Sequence, residues 1–173
     1  MPRPRLPSWD LAADVIAHLL PHRPPALRVD RVVGFSVSPL AIAAVWRVGT
    51  DLPDLAGHFP GAPLLPGAAT IEALAQTAGL LLALEDAWRS GGAASLAALQ
   101  GGTGPASAPR LGMLAAVRVK LLTPVRPPAL LHLEARAQRS LGAQHRLAVT
   151  ASVDDVAVAE GTITLALAPK GAR

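Results

Sequence analysis

Two side chains suited to moving protons lie fourteen positions apart in the middle of the chain. His58 stands in a turn dense in proline and glycine, Gly57-His58-Phe59-Pro60-Gly61. Glu72 lies inside a long apolar run that begins at Gly67, with Gln76 four residues further on. Between Gly67 and Leu84 the only polar side chains are Thr70, Glu72, Gln76 and Thr77. A helix that is apolar on every face is a buried helix. A carboxylate inside one must be paired, hydrogen-bonded or neutralised. Glu72 therefore needs a partner, and His58 is the nearest candidate in sequence. Imidazole with carboxylate is a general acid–base pair.

The elements that must position these groups follow from pattern. Pro66-Gly67 punctuates the start of the helix, which reads to about Trp88 and spans about 33 Å at 1.5 Å per residue. Ser90-Gly91-Gly92 reads as its end, and residues 90–110, rich in Gly, Ala, Ser and Pro, read as a flexible loop within one domain. Upstream, Leu27–Val37 and Ala41–Val48 read as a strand pair broken at Ser38-Pro39. Gly49–Pro66 holds four prolines and three glycines and is the turn region leading to the helix. Downstream the chain alternates with period two. Val117, Val119 and Leu121 interleave with Arg118 and Lys120, and Leu131, Leu133 and Ala135 with His132 and Glu134. Leu147, Val149, Ala151 and Val153 continue the pattern, as do Ile163, Leu165 and Leu167. These are antiparallel strands with one core face, turning at Leu141-Gly142 and Asp154-Asp155. The whole is an α+β chain, a curved antiparallel sheet around one long buried helix. A sheet covers three sides of such a helix, so burial alone predicts an oligomer.

The expected organisation is an N-terminal extension over residues 1–20, a single domain over 21–168 and a short tail at 169–173. The extension carries a short helix over Leu11–Leu20, capped by Ser8 or Asp10 and stopped by Pro21. With 173 residues, 51% of them hydrophobic and 16% charged, the chain has material for a real core. A net charge of +4, with no block of like charges, gives no sign of a nucleic-acid tail. Zero cysteines exclude disulfides and thiolate metal sites and fit a reducing, cytoplasmic setting. Glu72 and Glu85 bracket the most apolar stretch, so no transmembrane segment is expected. The N-terminus lacks a signal-peptide pattern. No His/Asp/Glu group has metal-ligand spacing. His18, His132 and His145 read as surface or strand histidines.

Several motifs together resemble a known family. Gly57-His58-Phe59-Pro60-Gly61, Pro63-Leu64-Leu65-Pro66-Gly67 and Ile71-Glu72-Ala73-Leu74-Ala75-Gln76 resemble the (3R)-hydroxyacyl-[acyl-carrier-protein] dehydratases of the FabZ type. So does Leu20-Pro21-His22-Arg23, followed by Val29-Asp30-Arg31-Val32. The resemblance implies a hot-dog fold, a dimer with trimers of dimers as a further assembly, and loss of water across C2–C3 of a 3-hydroxyacyl thioester. The substrate would ride on the phosphopantetheine of acyl carrier protein, and no other cofactor is implied. In this resemblance His58 moves the C2 proton, and Glu72 from the partner subunit handles the hydroxyl. The N–H of Gly67 faces the thioester carbonyl, where a helix start also favours negative charge. The carbonyl of Leu64 fixes the imidazole tautomer. Gln76 holds Glu72, and Phe59 belongs to the substrate-binding turn. His22 and Arg23 are read as bracing the turn they sit in, and Glu72, rather than aspartate, favours plain dehydration over the isomerising FabA type. The chain departs from the family pattern at Pro24 and Ala26, in lacking tyrosine altogether, and in the turn Leu122–Pro128, which lacks Gly-Asp. Two other readings compete: a hot-dog thioesterase or enoyl-coenzyme A hydratase, for which Asp54 is the nearby carboxylate, and a non-catalytic partner of an active dehydratase.

Overall fold

The computed structural model describes residues 6–102 and 112–168. Seven strands among these residues form one antiparallel sheet. In chain order the elements are β1 (Ser8–Leu11), α1 (Ala13–Leu19), β2 (Arg31–Val37), β3 (Leu40–Val48) and a 3-10 turn at Pro53–Leu55. Then come α2 (Gly67–Gln100), β4 (Gly112–Leu121), β5 (Ala129–Leu141), β6 (Gln144–Val153) and β7 (Val156–Leu167). The strand order is β1-β2-β3-β5-β6-β7-β4. The strand formed directly after the helix thus ends at the far edge of the sheet.

Alternation builds the inner face as rows of buried residues that cross the strands. Ile42 lies opposite Ala135, and Ala135 opposite Val149. The next row runs Ala44, Leu133, Ala151, Ala159. All of these are essentially buried. Against them packs α2, with Ala73, Leu74, Ala78, Leu80, Leu81 and Leu84 excluded from solvent. Its length and composition alone would let it cross a membrane, but 61% of its most apolar window is buried inside the fold. The β6–β7 turn places Asp154 and Asp155 at φ of 47° and 63°, the positive-φ pair of a tight hairpin. The β5–β6 turn uses Gly142 at φ 58°.

Three features differ from the sequence expectation. First, α2 does not stop at Ser90: Gly91 and Gly92 break the helical dihedrals, and helix resumes to Gln100. The glycines produce a kink rather than an end because Leu96 and Leu99 beyond them bury against the core. The remainder of the expected loop, 103–110, lies outside the described residues, as do 1–5 and the tail 169–173. Second, Ser8–Leu11 is a strand on β2, and the following helix has no side-chain cap from Ser8 or Asp10. Asp10 instead pairs with Arg31 of β2, and Trp9 lies on Phe35 with ring centroids 5.5 Å apart. Third, the expected core face of β4 is only partly covered: Val119 packs half-buried against the core. Met113, Leu114, Val117 and Leu121 are exposed, Leu121 by 54%. The strand lies at the sheet edge, where α2 shelters it only in part, Leu121 lying beside Gly67 at the helix start.

Candidate active site

The turn that carries His58 is knitted to itself. His58 N–H donates to the Leu55 carbonyl at 3.1 Å, and Leu64 N–H to the His58 carbonyl at 2.9 Å. Phe59 and Ala62 exchange backbone hydrogen bonds, and Gly61 takes a φ of 76° that side chains resist. Leu65 N–H donates to Val125 O at 2.9 Å, docking the end of the turn on the β4–β5 connection. The His58 ring stacks on Phe59 with centroids 4.2 Å apart, and Phe59 is itself 54% exposed.

The imidazole has a defined tautomer. His58 Nδ1 lies 3.0 Å from the Leu64 carbonyl oxygen. A carbonyl only accepts, so in the neutral ring Nδ1 carries the proton and Nε2 keeps a bare lone pair. That is the form of a general base.

Glu72 sits on the second turn of α2, its side chain 42% exposed. Its Oε1 accepts from Gln76 Nε2 at 2.8 Å, one helical turn on. Gln76 is 2% exposed and its amide is consumed within the fold. Oε1 accepts from Arg28 N–H at 2.7 Å, and Nε2 also donates to Ala26 O at 2.7 Å. Buried and fully hydrogen-bonded, Gln76 lies against Glu72, as expected of a residue that holds the carboxylate. The helix starts at Gly67, where the first N–H groups have no intrahelical acceptor. A Cβ on Gly67 would lie 2.2 Å from Leu121 Cδ1, so the end of β4 reaches the helix start, and a larger residue at 67 would displace the tip of the Leu121 side chain.

Within one protomer His58 and Glu72 form neither a hydrogen bond nor an ion pair with each other. Each is held by its own local contacts. Two further residues belong to this neighbourhood that the sequence reading did not assign to it. Arg28 is 8% exposed, makes a two-pronged contact with Asp54 at 2.8 and 2.7 Å, and lies over the Trp46 ring. Asp54 is in the 3-10 turn that leads into His58, so this pair ties the N-terminal motif to the histidine turn. A lone charge in the apolar run Ala26–Val29 was the available signal. His22 Nε2 lies 3.4 Å from Glu72 Oε1, while Arg23 braces the turn by donating to Leu20 O and His22 O. His18 and His132 are exposed, and His145 contacts Ser140 on the surface of a hairpin.

Residues 20–163 match the model of the FabA-like domain. The chain belongs to the FabA-like family. It is 36% identical over 168 residues to the 3-hydroxyacyl-[acyl-carrier-protein] dehydratase FabZ of Polynucleobacter necessarius, an alignment covering 95% of this chain and 99% of that one. It is 46% identical over 69 residues to the FabZ of Chlamydia trachomatis, covering 40% of this chain; the match spans 45% of that relative's length. Among solved structures, the dehydratase heterocomplex ApeI:P from Xenorhabdus doucetiae superposes with a TM-score of 0.66 at 19% identity, covering 90% of this chain and 91% of that one. A HP0420 homologue from Helicobacter felis superposes at 0.57 and 11% identity, covering 88% and 99%. These likenesses establish the hot-dog fold of this FabA-like chain.

Proposed function

We propose that the chain dehydrates (3R)-hydroxyacyl thioesters carried on acyl carrier protein to trans-2-enoyl thioesters, in fatty-acid or related lipid or polyene synthesis. The observation that carries this reading is the bare Nε2 of His58, set by the Leu64 carbonyl, in a chain whose full-length relatives are FabZ dehydratases. His58 takes a proton from C2, and the negative charge that moves onto the thioester oxygen meets the Gly67 N–H at the positive end of α2. The C3–O bond breaks, C2=C3 forms, and the hydroxyl leaves as water with a proton passed from Glu72. Proton return from the His58 imidazolium to Glu72 resets the site. No residue in this scheme calls for a bound cofactor beyond the carrier's own phosphopantetheine.

The site is composite in this reading: His58 of one protomer works with Glu72 of a second copy. Two features support it. The two side chains form neither a hydrogen bond nor an ion pair within a protomer, and β4 offers an unpaired sheet edge flanked by exposed apolar residues that a second copy can cover. Leu121 at the end of that edge packs on Gly67, so the start of α2 lies beside the proposed seam. We read the working form as a homodimer acting in the cytoplasm. Asp54, the carboxylate a thioesterase reading would use, has both oxygens engaged by Arg28.

The test is turnover of a (3R)-hydroxyacyl carrier thioester followed by mass spectrometry for loss of water, with coenzyme A thioesters and hydrolysis assayed alongside. His58→Ala and Glu72→Gln should each lower the rate at least about 100-fold. Near-normal turnover by Glu72→Gln removes the acid assignment, and thioester hydrolysis without dehydration overturns the reaction class.

A further inference from the structure

We infer that His22 is a positioning residue for Glu72, an inference that rests on the dehydration site proposed above. Arg23 fixes the turn around His22 by donating to the carbonyls of Leu20 and His22, at 2.9 and 2.7 Å. The imidazole is thereby held over the second turn of α2, with Nε2 3.4 Å from Glu72 Oε1. Its other nitrogen, Nδ1, is buried and has no hydrogen-bond partner among the described residues. A buried N–H with no acceptor is the costlier arrangement, so the proton belongs on Nε2, facing the carboxylate.

Glu72 Oε1 is then flanked by two N–H donors, Gln76 Nε2 at 2.8 Å and His22 Nε2 at 3.4 Å. The terminal torsion of a glutamate is broad, and donors converging on one oxygen pin it. Oε2, for which the described residues supply no donor, is the oxygen left to face substrate. As Glu72 gives its proton to the departing hydroxyl, negative charge grows on the carboxylate and hydrogen bonds to it strengthen. An interaction that strengthens along the reaction lowers the barrier without tightening substrate binding. The 3.4 Å separation is long for a formed hydrogen bond, and contacts of this kind shorten in the substrate complex. His22 would therefore act on kcat while leaving KM nearly unchanged.

The experiment compares His22→Leu, His22→Gln and His22→Asn in the intact dimeric enzyme. Glutamine carries an N–H at the position of imidazole Nε2; asparagine carries one at the position of Nδ1. We expect His22→Leu to lower kcat about 10- to 100-fold with KM within about threefold, the range for removal of a residue supporting a reacting group. Glutamine should restore most of the loss and asparagine should not. Equal impairment in all three variants means that the residue only braces its turn, and overturns the inference. So does a rise in KM with kcat intact, or a kcat within about threefold of wild type in His22→Leu. A second readout needs no turnover: ¹⁵N shifts of His22 in the resting protein should report the Nε2–H tautomer, and the Nε2–H signal should move in Glu72→Leu. An Nδ1–H tautomer overturns the positioning role even in an active enzyme. A wild-type protein with no dehydratase activity but the expected tautomer and coupling would instead fault the reaction assigned to the site.

Discussion

Replacing Gln76 by leucine tests whether one buried amide both holds the fold together and aims the acid. The substitution keeps the volume roughly constant and removes three hydrogen bonds. Two of the orphaned partners are main-chain groups, the Arg28 N–H and the Ala26 carbonyl. Each unsatisfied group costs about 1–3 kcal/mol. The expected loss is about 3 kcal/mol, below the 5–15 kcal/mol that holds such domains together, so the variant still folds. Urea unfolding at fixed protein concentration measures this, because stability of an oligomer depends on concentration. The third partner is Glu72, which loses its 2.8 Å donor and is free to swing. A displacement of about 1 Å at a reacting group costs on the order of 100-fold in rate, so kcat should fall by about that factor. Gln76→Glu should be worse, since it sets a second carboxylate against Glu72 and the Ala26 carbonyl. A stability loss under about 1 kcal/mol would mean that the Arg28 and Ala26 groups find other partners, refuting the bookkeeping. The expected stability loss of about 3 kcal/mol with unchanged kcat would refute the link to the acid.

Other expectations follow from single contacts. Asp54→Ala leaves the Arg28 guanidinium buried at 8% exposure without its anion, which should cost about 3 kcal/mol in chemical unfolding and slow turnover through the His58 turn. Gly161→Ala places a Cβ 2.0 Å from Arg118 O and should lift β4 from β7, with sedimentation reporting a shift from dimer to monomer. A stable dimer in that variant would argue against the β4 seam. Asp10 is held below its ordinary value of 3.8, first by hydrogen bonding from Arg31. Its folded value is depressed, so the stabilisation of β1 is fully present above the ordinary value and is lost as pH falls through the folded one. Hydrogen exchange of the β1 amides should show this loss, and Asp10→Asn should remove the pH dependence.

Most of the architecture was readable because its physics is local. Period-two alternation marks β5, β6 and β7, where one face meets α2 and the other meets solvent. The turns at Gly142 and Asp154-Asp155 advertise their positive φ through residue type. Glu72 and Gln76 meet because four residues is one helical turn. What escaped reading depends on distant partners. β1 has four residues and no usable period; Arg31 and Phe35 of β2 hold it. Ala93–Gln100 looked like loop because two burying leucines, Leu96 and Leu99, are too few to show a period beside Gly91-Gly92. The core face of β4 was legible as apolar, but the sequence does not say that the same protomer covers it only in part. The links from Arg28 to Asp54 and from His22 to Glu72 join positions 26 and 50 residues apart. No spacing rule predicts either. The tautomer of His58 was expected only from the family resemblance, since a carbonyl six residues on is brought back by the shape of the turn.

The most direct test of the shared site is a mixing experiment between two inactive homodimers, His58→Ala and Glu72→Gln, allowed to exchange subunits. If each site takes its imidazole from one protomer and its carboxylate from the other, half of the exchanged dimers are mixed and each holds one intact site. About a quarter of wild-type dehydration should then return. No recovery, with exchange demonstrated by differently tagged chains, would contradict a site shared between two copies.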